Sequence, residues 1–322
     1  MVKLLITGGA GFIGSHLSSR LIEMGHSVIA LDDLSTGSAQ NIAGLMENPS
    51  FEFVQGSMLD EKLIHTLMNR VDGCMHLGAA LGVQRILERP YESLVANTHG
   101  SEIAIKAAAE LGKRFFLAST SELYGKNPKQ PLTEESDRVI GSPQLVRWAY
   151  SEAKAIDESI AQMFHMSHAL KFVTGRFFNT VGPRQSGAYG MVLPRFVSAA
   201  IKNQPITIYG DGSQSRVFCH VLDAVNAVIK IFFDDKALGN AFNIGGEEEI
   251  SITDLAKRVI ALTSSSSKIE YLPYSKAYPA GFEETMRRVP NTSKIRSMTG
   301  WKSEFSLDEI IKDIEKFIRS NS

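Results

Sequence analysis

The sequence has very little cysteine: Cys74 and Cys219 are the only two in 322 residues. Two isolated cysteines exclude a disulfide scaffold and a cysteine-built zinc module, and they fit a reducing compartment. An excess of charge of one sign is also missing, since 34 basic side chains stand against 35 acidic ones. That balance gives no electrostatic reason to expect nucleic acid or an anionic membrane as a partner. No apolar run reaches the ~18 residues of a spanning helix. The start, "MVKLLITGG", has no charged leader before a long apolar segment, so no signal peptide is expected. The eight histidines are scattered, and no metal site is expected. No repeat or long linker occurs. "SSSSK", Ser264–Lys268, is the only low-complexity piece and is expected to be an exposed loop. A cytoplasmic protein is the expectation.

What is present is an alternation. "KLLITG", "SVIALDD", "FEFVQGS", "GCMHLGAA", "RFFLASTS" and "KFVTGRFFN" are short apolar runs, most of them separated by helix-length segments. This texture predicts βαβ units and a doubly wound parallel α/β sheet. After Asn179 prolines and glycines break the pattern into short pieces. "NAFNIGG" reads as one more core strand returning to the main sheet. "SITDLAKRVIALT" predicts a helix capped by Thr253 or Ser251. "SLDEIIKDIEKFI" predicts a terminal amphipathic helix capped by Ser306. The expected division is a Rossmann-type domain at 1–178 plus about 216–245, with a smaller mixed α/β lobe at about 179–215 and 246–322.

"TGGAGFIG", Thr7–Gly14, follows the first strand pattern and opens the first helix pattern. It holds Gly9, Gly11 and Gly14 as G-x-G-x-x-G, and Gly8, Gly11 and Gly14 as G-x-x-G-x-x-G. Glycines there permit a tight turn and close approach of backbone to a pyrophosphate, with helix N–H groups aimed at it. Asp32 ends the second strand pattern, where a carboxylate bonds a ribose 2′-hydroxyl and repels a 2′-phosphate. No Arg or Lys lies between Val28 and Gln40, so NAD is favoured over NADP. Asp33 is the neighbouring candidate for the same role.

Tyr150 and Lys154 form Y-x-x-x-K in "WAYSEAKAID". At this spacing the two side chains share one helix face. An ammonium beside a phenol lowers a pKa that starts near ~10, which makes a base for a secondary alcohol. "STSELYGK", Ser119–Lys126, precedes it by a strand-end loop.

With "TGGAGFIGSHL", "LDDLSTG", "HLGAA", "ASTSELYG", "YSEAKAIDE", "RFFNTVGPRQ", "ITIYGDGSQSRVF" and "NIGG", the chain resembles the extended short-chain dehydrogenases/reductases. The likeness is to the NAD-dependent nucleotide-sugar epimerase/dehydratase branch and covers essentially the whole chain. It implies that Gly8, Gly11, Phe12, Ile13, Gly14 and Asp32 hold NAD, with Ala79 and Ala80 along its ribose and nicotinamide. It implies that Thr120 and Tyr150 bracket a sugar 4-hydroxyl, with Lys154 orienting the nicotinamide ribose. Ser121, Asn179, Arg216 and one of Arg287 and Arg288 are then expected on the nucleotide-diphosphate sugar, a UDP-sugar first. It also implies a homodimer built on helices near Thr98–Leu111 and Tyr150–His165.

The second half-reaction stays open at this point. Glu122, in the Thr120-Ser121-Glu122 stretch, resembles the T-S-E of UDP-glucuronate decarboxylases, as does Arg147–Trp148 ahead of Tyr150. "HLGAALGVQR" looks closer to uronate and hexose 4-epimerases. The same T-S-E also resembles GDP-mannose 4,6-dehydratases. UDP-glucuronate decarboxylase is the leading expectation, then 4-epimerase, then 4,6-dehydratase. In a different class, a non-catalytic NAD-binding sensor would not need both Tyr150 and Lys154, which are present.

Overall fold

The computed structural model describes residues 1–79, 90–186, 191–278 and 283–321. "KLLIT" is apolar at Leu4, Leu5 and Ile6, as suits a strand covered on both faces. It forms β1 (Lys3–Thr7). Five strands follow: β2 (Ser27–Asp32), β3 (Phe51–Gln55), β4 (Gly73–His76), β5 (Arg114–Thr120) and β6 (Phe172–Phe177). With Ala241–Ile244 they make a seven-stranded sheet in the order Ala241–Ile244, β6, β5, β4, β1, β2, β3. All neighbours are parallel. The fold is therefore the doubly wound α/β arrangement expected, and "NAFNIGG" does return to the sheet.

Parallel pairing demands crossovers, and helices supply them. They include α1 (Phe12–Glu23), α2 (Glu61–Asn69), α3 (Pro90–Glu110) and α4 (Ala149–His168). Successive β1 side chains point to opposite faces. Leu4 and Ile6 join one buried cluster with Leu17, Val225 and Phe232. Leu5 joins the other with Ile64, Ile105 and Phe115. The strand order reverses at β1 and β4, where a crevice forms at the carboxyl ends of the strands. Thr7, Asp32, Leu77 and Thr120 all line a cavity there.

A third buried cluster gathers Leu193, Phe196, Ile208, Leu255 and Ile311. Its helices are Val192–Ile201, Ile252–Leu262 and Leu307–Ser320. The terminal helix begins with a capping box of Ser306 and Glu309. The Ile252–Leu262 helix is capped by Ser251, whose hydroxyl accepts from the Asp254 amide. Thr253 already lies inside that helix.

The serine run is a loop, as expected, exposed at Ser264, Ser266 and Lys268 and tied down by its other contacts. The Ser265 hydroxyl donates to the Ala200 carbonyl at 2.7 Å, and the Ser266 amide donates to Asn203 at 2.9 Å. Ser267 is buried. The run is fastened to the end of the Val192–Ile201 helix by its own hydroxyls, a side-chain-to-backbone chemistry that serines favour.

Candidate active site

The glycine turn comes first. Gly8 has φ +71°, a left-handed conformation that glycine adopts without penalty. A Cβ on Gly14 would sit 2.1 Å from the Gly8 carbonyl oxygen. The turn therefore closes on itself and delivers the chain into α1. No side chain caps α1 at Gly11, and no acidic residue stands in its first turn. Its amide groups face the cavity lined by Gly8, Gly11, Phe12, Ile13 and Gly14. An uncapped, positively polarised helix end of this length suits a pyrophosphate.

Asp32 closes this end. One carboxylate oxygen accepts from the Ala10 amide at 3.0 Å and the other from the Leu34 amide at 2.8 Å. Burial raises its pKa, partly offset by those two amides. A Cβ on Gly37 would lie 2.7 Å from the carboxylate, so only glycine leaves it room. Asp33 is exposed and turns to the Ser35 amide. Both acids line the cavity, and Asp32 is the one fixed in place. These features fit a dinucleotide.

The second part of the cavity is built from β5. Thr120 caps the short turn Ser121–Tyr124, its hydroxyl accepting from the Glu122 amide at 3.2 Å. That leaves the Thr120 hydroxyl hydrogen for Tyr150, to which it is hydrogen-bonded. Ser151 donates to the Glu122 carbonyl at 2.8 Å and locks α4 to the same turn. Thr120, Ser121, Glu122, Tyr150 and Lys154 all line the cavity, which measures about 820 Å³.

One expectation fails here. Lys154 was to lower the Tyr150 pKa. Instead burial raises it, the Glu122 and Asp157 carboxylates raise it further, and the Thr120 bond only partly opposes them. The Lys154 ammonium is taken up by Asp157 at 3.0 Å, with both side chains buried.

Glu122 sits in a cluster of charges. It pairs with Arg288, and its other oxygen lies 3.5 Å from Arg147. Burial disfavours its charge, but Arg288 and Arg147 outweigh that and hold it at about 2. Arg288 also donates to Asn179 at 3.1 Å, while Asn179 donates to the Val217 carbonyl at 2.8 Å. Arg216 donates to Glu284 at 2.9 Å. Asn179, Arg216 and Arg288 line the cavity. Arg287 does not: it is exposed and holds Glu249 at 2.7 Å. Adjacent residues on a strand point to opposite faces, so only one arginine of this pair can enter. Ala79 lines the cavity, while Ala80, Leu81–Arg85 and Gly187–Tyr189 lie outside the described residues.

Sequence reasoning did not place Arg147, Glu284 or Asp157 in the site. Arg195, whose guanidinium lies 4.2 Å from the Tyr209 ring centre, was also missed. Arg147 had only its likeness, with Trp148, to the decarboxylases, and Asp157 only its i, i+3 spacing from Lys154. Among the described residues no cluster of three or more His, Cys, Asp or Glu could hold a metal. No described helix is long and apolar enough to cross a membrane.

Comparison with known proteins places this arrangement. Residues 5–314 match the family described as GDP-mannose 4,6-dehydratase. A UDP-N-acetyl-α-D-glucosaminuronate decarboxylase of Bacillus cytotoxicus is 38% identical over 98% of both chains. UDP-glucuronic acid decarboxylase 1 of Arabidopsis thaliana is 32% identical over 96% of this chain and 68% of its own. Among solved structures, UDP-glucose 4-epimerase of Thermotoga maritima with UDP-glucose superposes with a TM-score of 0.88 at 28% identity, covering 99% of each chain.

Proposed function

Because the chain belongs to the GDP-mannose 4,6-dehydratase family, whose members are NAD-dependent nucleotide-sugar enzymes of the extended short-chain dehydrogenase/reductase type, we propose that it is a UDP-uronate decarboxylase. UDP-N-acetylglucosaminuronate is the first substrate to test and UDP-glucuronate the second. The observation that carries this reading is Glu122, held between Arg288 and Arg147 beside the Thr120–Tyr150 hydrogen bond. The full-length likeness to a decarboxylase at 38% identity supports it.

The cofactor residues are Gly8, Gly11, Phe12, Ile13, Gly14, Asp32 and Ala79. NAD, when bound, supplies the acceptor that takes hydride from C4 and gives it back. Everything else falls to side chains. Thr120 and Tyr150 hold the sugar 4-hydroxyl, and Tyr150 takes its proton. Lys154 keeps two donors beyond the one given to Asp157, enough for a ribose diol. Once C4 is a ketone, the electrons of the C5–C6 bond flow into its carbonyl and the carboxylate leaves as CO2. A proton then adds at C5. Thr120 and Tyr150 are placed to stabilise the oxygen on C4 while charge develops there.

Glu122 decides how a carboxylate is received. It offsets part of the charge of Arg288 and Arg147, one carboxylate against two guanidiniums, so a uronate carboxylate beside it meets a weakened positive field. An anion held loosely in a water-poor pocket is easier to lose as neutral CO2. Arg216, with Asn179 and Arg288, meets the diphosphate side of the substrate.

The lobe division at 1–178 plus about 216–245, against about 179–215 and 246–322, gives the cofactor to the first, with the substrate held between the two by Thr120, Tyr150 and Arg216 on one side and Asn179 and Arg288 on the other. The buried free thiols Cys74 and Cys219 suit the cytoplasm. The exposed side chains Ile156, Met163 and Met166 make a stripe on α4, beside the α3 helix it packs against. That face supports a homodimer.

The test is to offer UDP-N-acetylglucosaminuronate, UDP-glucuronate, UDP-glucose and dTDP-glucose separately and weigh the products. Loss of CO2 from a uronate is the expected outcome. Loss of water from a hexose, or an isomer of unchanged mass, contradicts the reading.

A further inference from the structure

Behind Tyr150 and Lys154 runs a buried chain of polar groups that the Y-x-x-x-K motif does not include. Lys154 donates to Asp157 Oδ2 at 3.0 Å, and Ser101 on α3 donates to the same oxygen at 2.8 Å. The Ser101 hydroxyl is 3.2 Å from His76 Nε2 at the end of β4. His76 Nδ1 is 2.8 Å from the Thr7 hydroxyl at the end of β1. Thr7 accepts from the Gly78 amide at 3.1 Å. Four side chains, Asp157, Ser101, His76 and Thr7, from two strands and two helices thus connect the lysine to the glycine turn. Asp157, His76 and Ser101 are fully buried.

Asp157 stands out within this chain. Its Oδ1 has no hydrogen-bond partner although it is buried. A buried carboxylate with one bare oxygen is unfavourable for packing alone. Its neighbour Glu158 has a structural use, holding Arg176 and Ser119.

We propose that Asp157 is a positioning residue for the proposed reaction, fixing the Lys154 ammonium and offsetting its charge beside Tyr150. This rests on the reading of Tyr150 as the base. The charged groups around the Tyr150–Lys154–Asp157 run are accounted for. Glu158 is paired with Arg176. Glu122, on the turn after β5, is paired with Arg288 and Arg147. His76, behind Ser101, is kept neutral, its pKa lowered to about 3 by burial and then by Lys154. Asp157 is therefore the group whose charge directly offsets that of Lys154. It also raises the Tyr150 pKa, as Glu122 does and after burial.

The test is Asp157→Asn, which keeps the shape and an acceptor for Lys154 and Ser101 but removes the charge. Two readouts are taken on NAD-loaded protein. One is the pH profile of kcat/KM with the UDP-uronate. The other is tyrosinate absorbance against pH, with the trace of a Tyr150→Phe partner subtracted. The acid limb of the profile and the Tyr150 titration should both move to lower pH by about one unit. Asp157→Glu, which restores the charge, should return both toward the parent. If Asp157→Asn does not fold, Asp157→Ser removes the same charge with less bulk. A folded charge-free variant whose Tyr150 titration stays in place overturns the proposal. A titration that moves in a protein that turns over no uronate supports the positioning role and overturns the decarboxylase reading instead.

Discussion

Replacing Glu122 by Gln should destabilise the protein in a pH-dependent way. The side chain is a quarter exposed and sits between two arginines whose own side chains are about nine-tenths buried. Burial disfavours its charge, yet Arg288 and Arg147 hold its pKa at about 2 against an ordinary 4.5. At about 1.36 kcal/mol per unit, that is about 3 kcal/mol at most. Screening at the exposed edge brings it to about 2 kcal/mol. The pKa is lowered on folding, so the stabilisation is complete above about pH 4.5 and is lost as pH falls toward 2. The assay is thermal unfolding of parent and Glu122→Gln from pH 7 to pH 3, with NAD in excess. At pH 7 the variant should melt about 4 °C lower, and the gap should close as the pH falls. A gap that is absent at pH 7, or that persists undiminished at pH 3, refutes the electrostatic argument.

Other expectations follow from single contacts. Gly14→Ala forces a methyl group to 2.1 Å from the Gly8 carbonyl; titration with NAD should show binding weaker by roughly ten- to a hundred-fold, from about 1–3 kcal/mol of overpacking. Arg288→Ala should lower kcat/KM at least ~10-fold, because Glu122 and Asn179 both lose a partner. Arg287→Ala removes only an exposed pair with Glu249 and should change kcat/KM less than about threefold in the same assay. Light scattering should give a dimer at micromolar concentration, and Met163→Glu, on the exposed stripe of α4, should shift it toward monomer.

The central sheet was legible because each of its strands is a short apolar run, and such runs keep their identity whatever lies beside them. The cofactor turn was legible because glycine is needed where Gly8 takes a left-handed φ and where Gly14 meets the Gly8 carbonyl. The charge cluster was not. Glu122 meets Arg288 across 166 residues, and no local pattern announces a pair made by two lobes folding together. The Arg287–Arg288 ambiguity is the same problem in small: strand alternation says that one faces in, but not which. Tyr150 shows a different limit. Motif spacing put Lys154 on its face of the helix, while burial, then Glu122 and Asp157, raise its pKa, and burial is not written in a four-residue spacing. Of the two cap candidates it is Ser251 that caps the helix, because the helix starts directly at the end of the strand Glu249–Ser251.

The claim that C4 is oxidised and reduced within one visit, with carbon dioxide lost between, is tested most directly with UDP-uronate carrying deuterium at C4. The product should be lighter by CO2, should retain the deuterium at C4, and should carry one solvent hydrogen at C5. A product that keeps its carboxylate, or that has lost the C4 label to solvent, contradicts it.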